Sequence, residues 1–549
     1  MNLTGFKKKT RLDIYSMYSS PENREACIAA LLDGAKSAKS GADQYFQKMK
    51  SYYDGTHITD SQSVGFAADA GLPWKPATVP DGYMHVESQI DANVPDFEFS
   101  GREDGDAEKA KLREQVVRYV CDGADLKTKN ASNERRLNLF GTAVWKVSVG
   151  IGDNGAEVVI DDPSPEMIFP DPTASDVDDC EYIGYVYSMS VMKAERVFAY
   201  DLARKGTTVA EIVADGGADG DVSDTVEVIE WWYRQPTSGE GECEYVVDGE
   251  TVSRVCEYEA GDVAFSILLG GREIRNVPKF WDKTGCKRYP FVIYNKTPRD
   301  GSIWGKSELE AIIPLIDAAD RQLAFAQLNT AFSANDIVVY EENAFASDSY
   351  PQNSPGAVWK LRPGMIDKAK RLGGLASDNI AHYEIVEKYR TLMKDALGNY
   401  DYLQGNSAAQ VTTATGLALL SDHANKRMTA KNVCKKAGFE RLYRLIDYLA
   451  LEVFDDDALR AIIGTDTASY GYGKDGYLPL LDVTVNIGDG VENSRSFTMS
   501  VLNDLITMSV TEENYPIVRA YVSSLGIPER AAICEALDER FNKEKGENE

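Results

Sequence analysis

The sequence predicts an α+β protein, mainly helical and built from more than one module. Three observations carry this reading. The 549 residues exceed what a single hydrophobic core ordinarily supports. Between residues 304 and 454 helix-period apolar patterns dominate, with two long helical stretches flanking a short Pro/Gly-rich β segment and a third, longer helix following. Between residues 141 and 294, runs rich in Val, Ile, Trp and Tyr, punctuated by Gly, Asp and Pro, read as strands.

From the N-terminus, residues 20–53 carry a helical pattern. Pro21 falls in the first turn, where its missing amide has no partner to lose, and Ala26, Ile28, Leu31, Leu32, Tyr45, Phe46, Met49 and Tyr53 are its apolar sites. Residues 66–79, rich in Ala, Gly and Pro, read as irregular, and helices follow at 83–90, 106–120 and 125–140. Residues 141–149 (Gly-Thr-Ala-Val-Trp-Lys-Val-Ser-Val) read as a strand that an Asp153-Asn154-Gly155 turn returns to 157–160. A Pro-rich extended stretch at 163–172 precedes a strand at 182–188, a helix at 191–204 and a Gly/Asp loop at 216–222. Strands at 226–233, 244–247, 252–255, 263–268 and 289–294 complete an α+β region.

Ser307 and Glu310 then form a Ser-x-x-Glu capping box for a helix running to 333. Leu309, Ile312, Ile316, Ala319, Leu323 and Ala326 make one stripe, while Ile313, Phe325, Leu328 and Phe332 lie off it, so more than one face needs cover. Pro314 inside this pattern is expected to kink the first turns. Residues 336–340 and 357–361 read as two short strands separated by a Pro/Gly-rich turn at 350–356. Asp378 or Ser377 caps the next helix, on which Ile385, Tyr389, Leu392 and Ala396 share a face and Gly398 is the stop. A polar loop at 399–413 leads into one very long helix, 414–454, with a bend expected at Gly438. An alternating strand at 481–487 and short helices at 496–510, 512–525 and 528–541 close the chain.

This order of helix, β excursion, returning helix, Gln410-Val411-Thr412-Thr413-Ala414-Thr415-Gly416 loop and long kinked helix resembles the portal (head-to-tail connector) proteins of tailed double-stranded DNA bacteriophages. The stretches from Trp304-Gly305-Lys306-Ser307 to Asp320 and from Gln410 to Gly416 carry the likeness, which covers most of the chain in order. It implies a portal-like protomer with an α+β wing (1–304), a two-helix stem (305–334 and 377–398), a small β clip (335–376), a tunnel loop (399–413), a long kinked wing helix with return strand (414–495) and a C-terminal helical crown and tail (496–549). It implies a head-to-tail ring at one capsid vertex, twelve-fold at the family's usual stoichiometry, with no enzymatic activity and neither cofactor nor metal. The implied partners are the chain itself, the terminase large subunit, a head-tail adaptor, the major capsid protein, a scaffolding protein and double-stranded DNA in transit during packaging and ejection. No membrane is implied; the location is the virion, with the host cytoplasm during assembly.

By the same resemblance the tunnel loop faces DNA. Asn399, Gln404, Asn406, Gln410, Thr412 and Thr413 offer neutral hydrogen-bonding groups there, and Asp401 is the only formal charge among these residues. Neutral groups make brief, exchangeable contacts with phosphates, whereas each Lys or Arg adds counterion-release affinity. Lys388 and Lys394, on the helix entering the loop, are expected to add positive rings below it, and Tyr340, Tyr350, Trp359 and Arg362 to form the clip's partner surface. The competing reading makes the loop a plain connector packed against the wing.

Composition bounds the alternatives. With 59 basic against 87 acidic residues the formal charge is −28, which repels a phosphate backbone over most of the surface but suits a channel through which duplex must slide. No apolar run reaches membrane-span length, and the first nine residues lack the apolar stretch of a secretory signal, so a cytosolic origin is expected. The eight cysteines are scattered without a Cys-x-x-Cys pair, so free, mostly buried thiols are expected rather than zinc or disulfide frameworks.

Residues 300–307 sit between a strand and a helix as a nucleotide-binding P-loop does. Asp300 stands where that pattern needs Gly, however, and Trp304 is bulky for a loop whose amides must approach phosphates. His57, His85, His382 and His423 are far apart in sequence, and adjacent acids such as Asp178-Asp179 or Asp455-Asp456-Asp457 are more often solvated than metal-bound. The basic cluster on the long helix (Lys426, Arg427, Lys431, Lys435, Lys436, Arg441 and Arg444) reads as facing either DNA or, preferentially, acidic neighbours in the next subunit. A cytosolic enzyme or adaptor with an α+β substrate-binding domain is the alternative to the portal reading.

Overall fold

The computed structural model describes residues 21–58, 79–102, 106–152, 155–215, 225–247, 250–334, 337–346, 360–372, 379–397, 414–464 and 481–486, with a few positions between 515 and 538. In chain order the elements are α1 (Pro21–Asp54), α2 (Asp81–Glu87), β1 (Asp96–Gly101), α3 (Ala107–Gly123), α4 (Leu126–Phe140), β2 (Thr142–Gly152), β3 (Gly155–Asp161), β4 (Ile168–Pro170), β5 (Tyr182–Ser190), α5 (Val191–Val197), α6 (Ala199–Lys205) and α7 (Val209–Asp215). There follow β6 (Thr225–Arg234), β7 (Gly239–Val247), β8 (Glu250–Tyr258), β9 (Val263–Leu269), β10 (Arg272–Val277), β11 (Phe291–Asn295), α8 (Leu309–Ala334), β12 (Ile337–Tyr340), β13 (Ala369–Leu372), α9 (Asn379–Leu397), α10 (Ala414–Val453), α11 (Asp456–Ile463) and β14 (Leu481–Asn486). The chain is a mixed α+β protein, as its sequence predicts, and divides into two compact units.

The first unit comprises Met1–Phe46, Ile90–Ser307 and Asn425–Glu549. Its middle layer is an antiparallel sheet in the order β10-β9-β6-β5-β4. Strand β6 shows how sequence sets the layering, because alternate residues point to opposite faces. Ile229, Trp231 and Tyr233 meet Ile28, Leu32 and Ala35 of α1 on one side. Val226 and Val228 meet Ala194, Leu202 and Ile212 of α5, α6 and α7 on the other. A strand covered on both faces is apolar at nearly every position, which accounts for the Val-Ile-Glu-Trp-Trp-Tyr run.

A second sheet, β11-β2-β3, seats the C-terminal half of the long helix α10. Trp145 of β2 packs edge-on against Phe439, with ring centroids 5.7 Å apart, and Phe97 of β1 lies 4.1 Å from Tyr443. Gly438 does not interrupt the helix. A Cβ there would sit 2.7 Å from the Tyr294 ring, so this glycine admits the aromatic of β11 to the helix backbone. Strands β1 and β14 pair antiparallel from Asp96↔Asn486 to Gly101↔Leu481.

Several details depart from the sequence reading. The helix expected at 191–204 is two short helices, α5 and α6, broken at Phe198. Strands β1 and β10 and helix α7 were not expected. Cys256 of β8 is disulfide-bonded rather than a free thiol, whereas Cys27, Cys121, Cys180, Cys286, Cys434 and Cys534 are free.

The second unit comprises Gln47–Gln89 and Glu308–Ala424. Helix α8 tolerates Pro314 without ending, and α9 packs along it. Their seam is partly polar. His382 Nδ1 lies 2.8 Å from Gln322 Oε1, Asn329 Nδ2 lies 3.2 Å from His382 Nε2, and Asn379 donates to Thr330 Oγ1 at 2.7 Å. Between these helices in sequence, β12 pairs antiparallel with β13, from Ile337↔Leu372 to Tyr340↔Ala369. The partner of β12 is therefore 369–372 and not 357–361; of the latter, Leu361 makes only an isolated bridge to Phe345, and 357–359 lie outside the described residues.

Candidate functional site

The loop that mimics a P-loop is closed to phosphate. Its amides already have acceptors inside the first unit: Ser302 N–H donates to the Arg299 carbonyl (3.2 Å), Trp304 to Ser302 Oγ (3.1 Å), Gly305 to Thr142 Oγ1 (2.9 Å), Lys306 to the Thr297 carbonyl (2.9 Å) and Ser307 to Tyr45 Oη (2.8 Å). A phosphate cradle needs several such amides free and convergent. The backbone is also pressed against α4. Gly141, at φ +81°, would place a Cβ 2.2 Å from the Lys306 carbonyl carbon, and Gly305 would place one 2.3 Å from the Gly141 oxygen, so both positions need Gly for space. The Ser307 hydroxyl donates to the Asn138 carbonyl at 3.1 Å.

The histidines are structural partners. In the second unit His57 stacks on Tyr52 (4.2 Å, 15°) with Nε2 2.8 Å from Asp320, while Tyr52 donates to Asp317 at 2.9 Å. Burial, and secondarily the Lys394 ammonium, holds the His85 imidazole below its ordinary pKa. Nearby, burial raises the Asp81 carboxyl against the pull of Arg390, whose Nε lies 3.2 Å away. No group of three or more His, Cys, Asp or Glu able to hold a metal occurs among the described residues. His423 lies outside the described side chains.

Two members of the basic cluster find acids within their own chain. Lys435 is wholly buried, with Nζ 3.1 Å from Asp91 and 3.4 Å from Glu134, and Arg441 lies 3.3 Å from Asp176. Lys435 is therefore not available to DNA or to a neighbouring subunit, which corrects the expectation for that residue, whereas the Arg441–Asp176 pair is half-exposed. The side chains of Lys426, Arg427 and Lys431 lie outside the described residues.

The helix–strand–helix segment of the second unit holds the residues expected to meet partners and DNA. Tyr340 is half-buried at the end of β12, edge-on to Phe345 at 4.8 Å, and Arg362 is exposed, its backbone amide held by the Ala344 carbonyl. On α9 Lys388 is exposed and Lys394 half-buried. Tyr350 and Trp359, and the whole polar loop with Asn399, Asp401, Gln404, Asn406, Gln410, Thr412 and Thr413, lie outside the described residues.

A family model described as phage P22-like portal protein matches residues 32–415, which takes in both helices of this segment and most of the first unit's sheets. The chain belongs to the phage P22-like portal protein family. No protein of the curated set matches it. As a portal protein it is a structural, non-enzymatic component of the phage particle, of a family that forms homo-oligomeric rings at a capsid vertex. That role agrees with the occupied amides of the P-loop mimic, and no helix among the described residues is long and apolar enough to cross a membrane. What sequence reading missed is the polar seam of α8 and α9: Gln322, Asn329 and His382 each resemble surface residues until the two helices are laid together.

Proposed function

We propose that this portal chain conducts double-stranded DNA during packaging and ejection, and that its helix–strand–helix segment carries the docking and channel surfaces. The observation that carries the reading is the order α8, β12–β13, α9 within one compact unit of a chain that belongs to the portal family. In this reading residues 305–334 and 377–398 are the stem, 335–376 the clip that meets the terminase large subunit and later the head-tail adaptor, and 399–413 the tunnel loop. Residues 1–304 and 414–495 supply the wing and 496–549 the crown, the outer surfaces for major capsid and scaffolding proteins. Twelve subunits are the expected number.

A strand pair that leaves and re-enters a helical unit presents unpaired edges, which suits exchange between two partners. Deleting residues 344–354 is expected to preserve rings in negative stain while weakening terminase binding; unaltered terminase binding removes the clip assignment. Lysines at Asn406 and Gln410 are expected to lower packaged DNA per head through added phosphate affinity. Wild-type packaging and retention by that variant would show that the loop does not meet DNA.

A further inference from the structure

On α9 the apolar side chains and the helix seam do not coincide. The face toward α8 holds the buried Val386 and Met393 together with the hydrogen-bonded His382 and Asn379. Four larger apolar residues stand outside it: Ile380, Tyr383, Ile385 and Leu392 are 69%, 52%, 38% and 49% exposed. At about 100° of turn per residue they fall into two flanks, Ile385 with Leu392 and Ile380 with Tyr383, about 160° apart around the axis. The ridge between them is polar, with Glu384, Thr391 and Asp395 exposed.

One apolar stripe calls for one partner; two opposed stripes separated by a polar ridge call for two. Head-to-tail contact between identical subunits meets that demand, since each copy offers one flank to each neighbour. The rims are complementary in charge. Exposed Lys388 borders the Ile385–Leu392 flank, and Glu387, with its side chain 71% exposed, lies within the Ile380–Tyr383 flank. The two are adjacent in sequence and so level along the helix, which brings ammonium against carboxylate when symmetry-related copies stand side by side.

We propose that α9 forms the contact between neighbouring subunits, its Ile385–Leu392 flank receiving the Ile380–Tyr383 flank of the next copy, with Lys388 of one against Glu387 of the other. This rests on the ring reading above and adds to it the surface and its polarity. The test uses the full chain, with ring fraction read by mass photometry and negative stain. Lys388→Glu and Glu387→Lys are each expected to lower the ring fraction about tenfold at fixed concentration, and the double exchange to restore it to within about twofold. Glu387 also accepts from Arg390 at 3.3 Å, but Arg390 keeps Asp81, so the subunit's own fold is retained. A second pair, Leu392→Glu and Ile380→Glu, checked for folding by circular dichroism, is expected to leave monomers separately and dimers when mixed, because only one good contact then remains. Single charge variants that ring as well as the wild type, a double exchange without rescue, or a mixture that stays monomeric each overturn the assignment. A wild-type chain that never forms rings overturns the ring reading itself, a result distinct from intact rings that ignore these substitutions.

Discussion

Replacing Arg113 by Met leaves a carboxylate without its counter-charge inside the protein. Arg113 of α3 donates from Nε to Asp447 Oδ1 of α10 at 2.7 Å and from Nη2 to Asp447 Oδ2, and the two side chains are 1% and 4% exposed. Met fills much of the same volume but supplies neither donor nor charge, a loss of about 3–5 kcal/mol for a buried pair. The loss depends on pH. Burial already holds the Asp447 carboxyl above its ordinary range, with Arg113 pulling the other way. Without Arg113 the folded-state pKa rises further, while the unfolded value stays at about 4. An acid raised in the fold binds a proton that the unfolded chain releases, so stability falls as pH climbs through that window, at about 1.4 kcal/mol per unit. The variant is therefore expected to be less destabilised relative to wild type at pH 5 than at pH 7.

With two units in the chain a single global transition is not assured, so the assay is hydrogen exchange of the α10 amides, which reads the local opening free energy. Adding Asp447→Leu to Arg113→Met is expected to recover most of the loss, because an apolar pair of similar size is about neutral against a buried ion pair. A loss under about 1 kcal/mol, a loss equal at pH 5 and pH 7, or a double variant as labile as the single would refute the reasoning.

Lys39 donates to the carbonyls of Pro165 and Glu166 at 2.8 and 2.7 Å, and burial pushes its pKa down to about 8 although Asp43 pulls it up. Its charge opposes folding below that value, so wild-type stability is expected to rise by about 3 kcal/mol as pH climbs from the folded to the unfolded pKa, a rise absent from Lys39→Met in parallel melts. Gly141→Ala combines a left-handed Cβ with backbone overlap and is expected to destabilise the first unit by about 3 kcal/mol or more; a melting temperature unmoved from wild type contradicts the crowding seen at Lys306. Millimolar ATP or GTP with magnesium is expected to leave the melting curve in place, whereas a site saturated at 100 times its Kd would add about 2.7 kcal/mol.

The elements that were legible in the sequence are those whose signals are local. The turn at Asp153-Asn154-Gly155 and the alternation around it mark β2 and β3, and the apolar stripe from Leu309 to Ala326 marks α8. The elements that were missed owe their structure to distant partners. In β1, Asp-Phe-Glu-Phe-Ser-Gly alternates over too few residues to stand out, and it is a strand because β14 closes on it from the far end of the chain. In β13, Ala-Lys-Arg-Leu carries no β-branched residue and gains its conformation from pairing with β12. Gly438 reads as a bend because glycine weakens helices, but the Tyr294 ring that requires it belongs to a strand far away in sequence.

The charges on α10 show why site assignment is harder than fold assignment. A cluster of Lys and Arg on one helix of an acidic chain invites a role toward DNA, because sequence shows charge and conceals accessibility. Lys435, at the centre of the cluster, is wholly buried against Asp91 and Glu134, so it adds no free positive potential for a phosphate. A salt slope depends on the number of cations that displace counterions from the duplex, and cations neutralised within the fold do not enter that number. Removing Lys435 should thus weaken the helix's attachment and leave the salt dependence of DNA binding by the assembled ring unchanged.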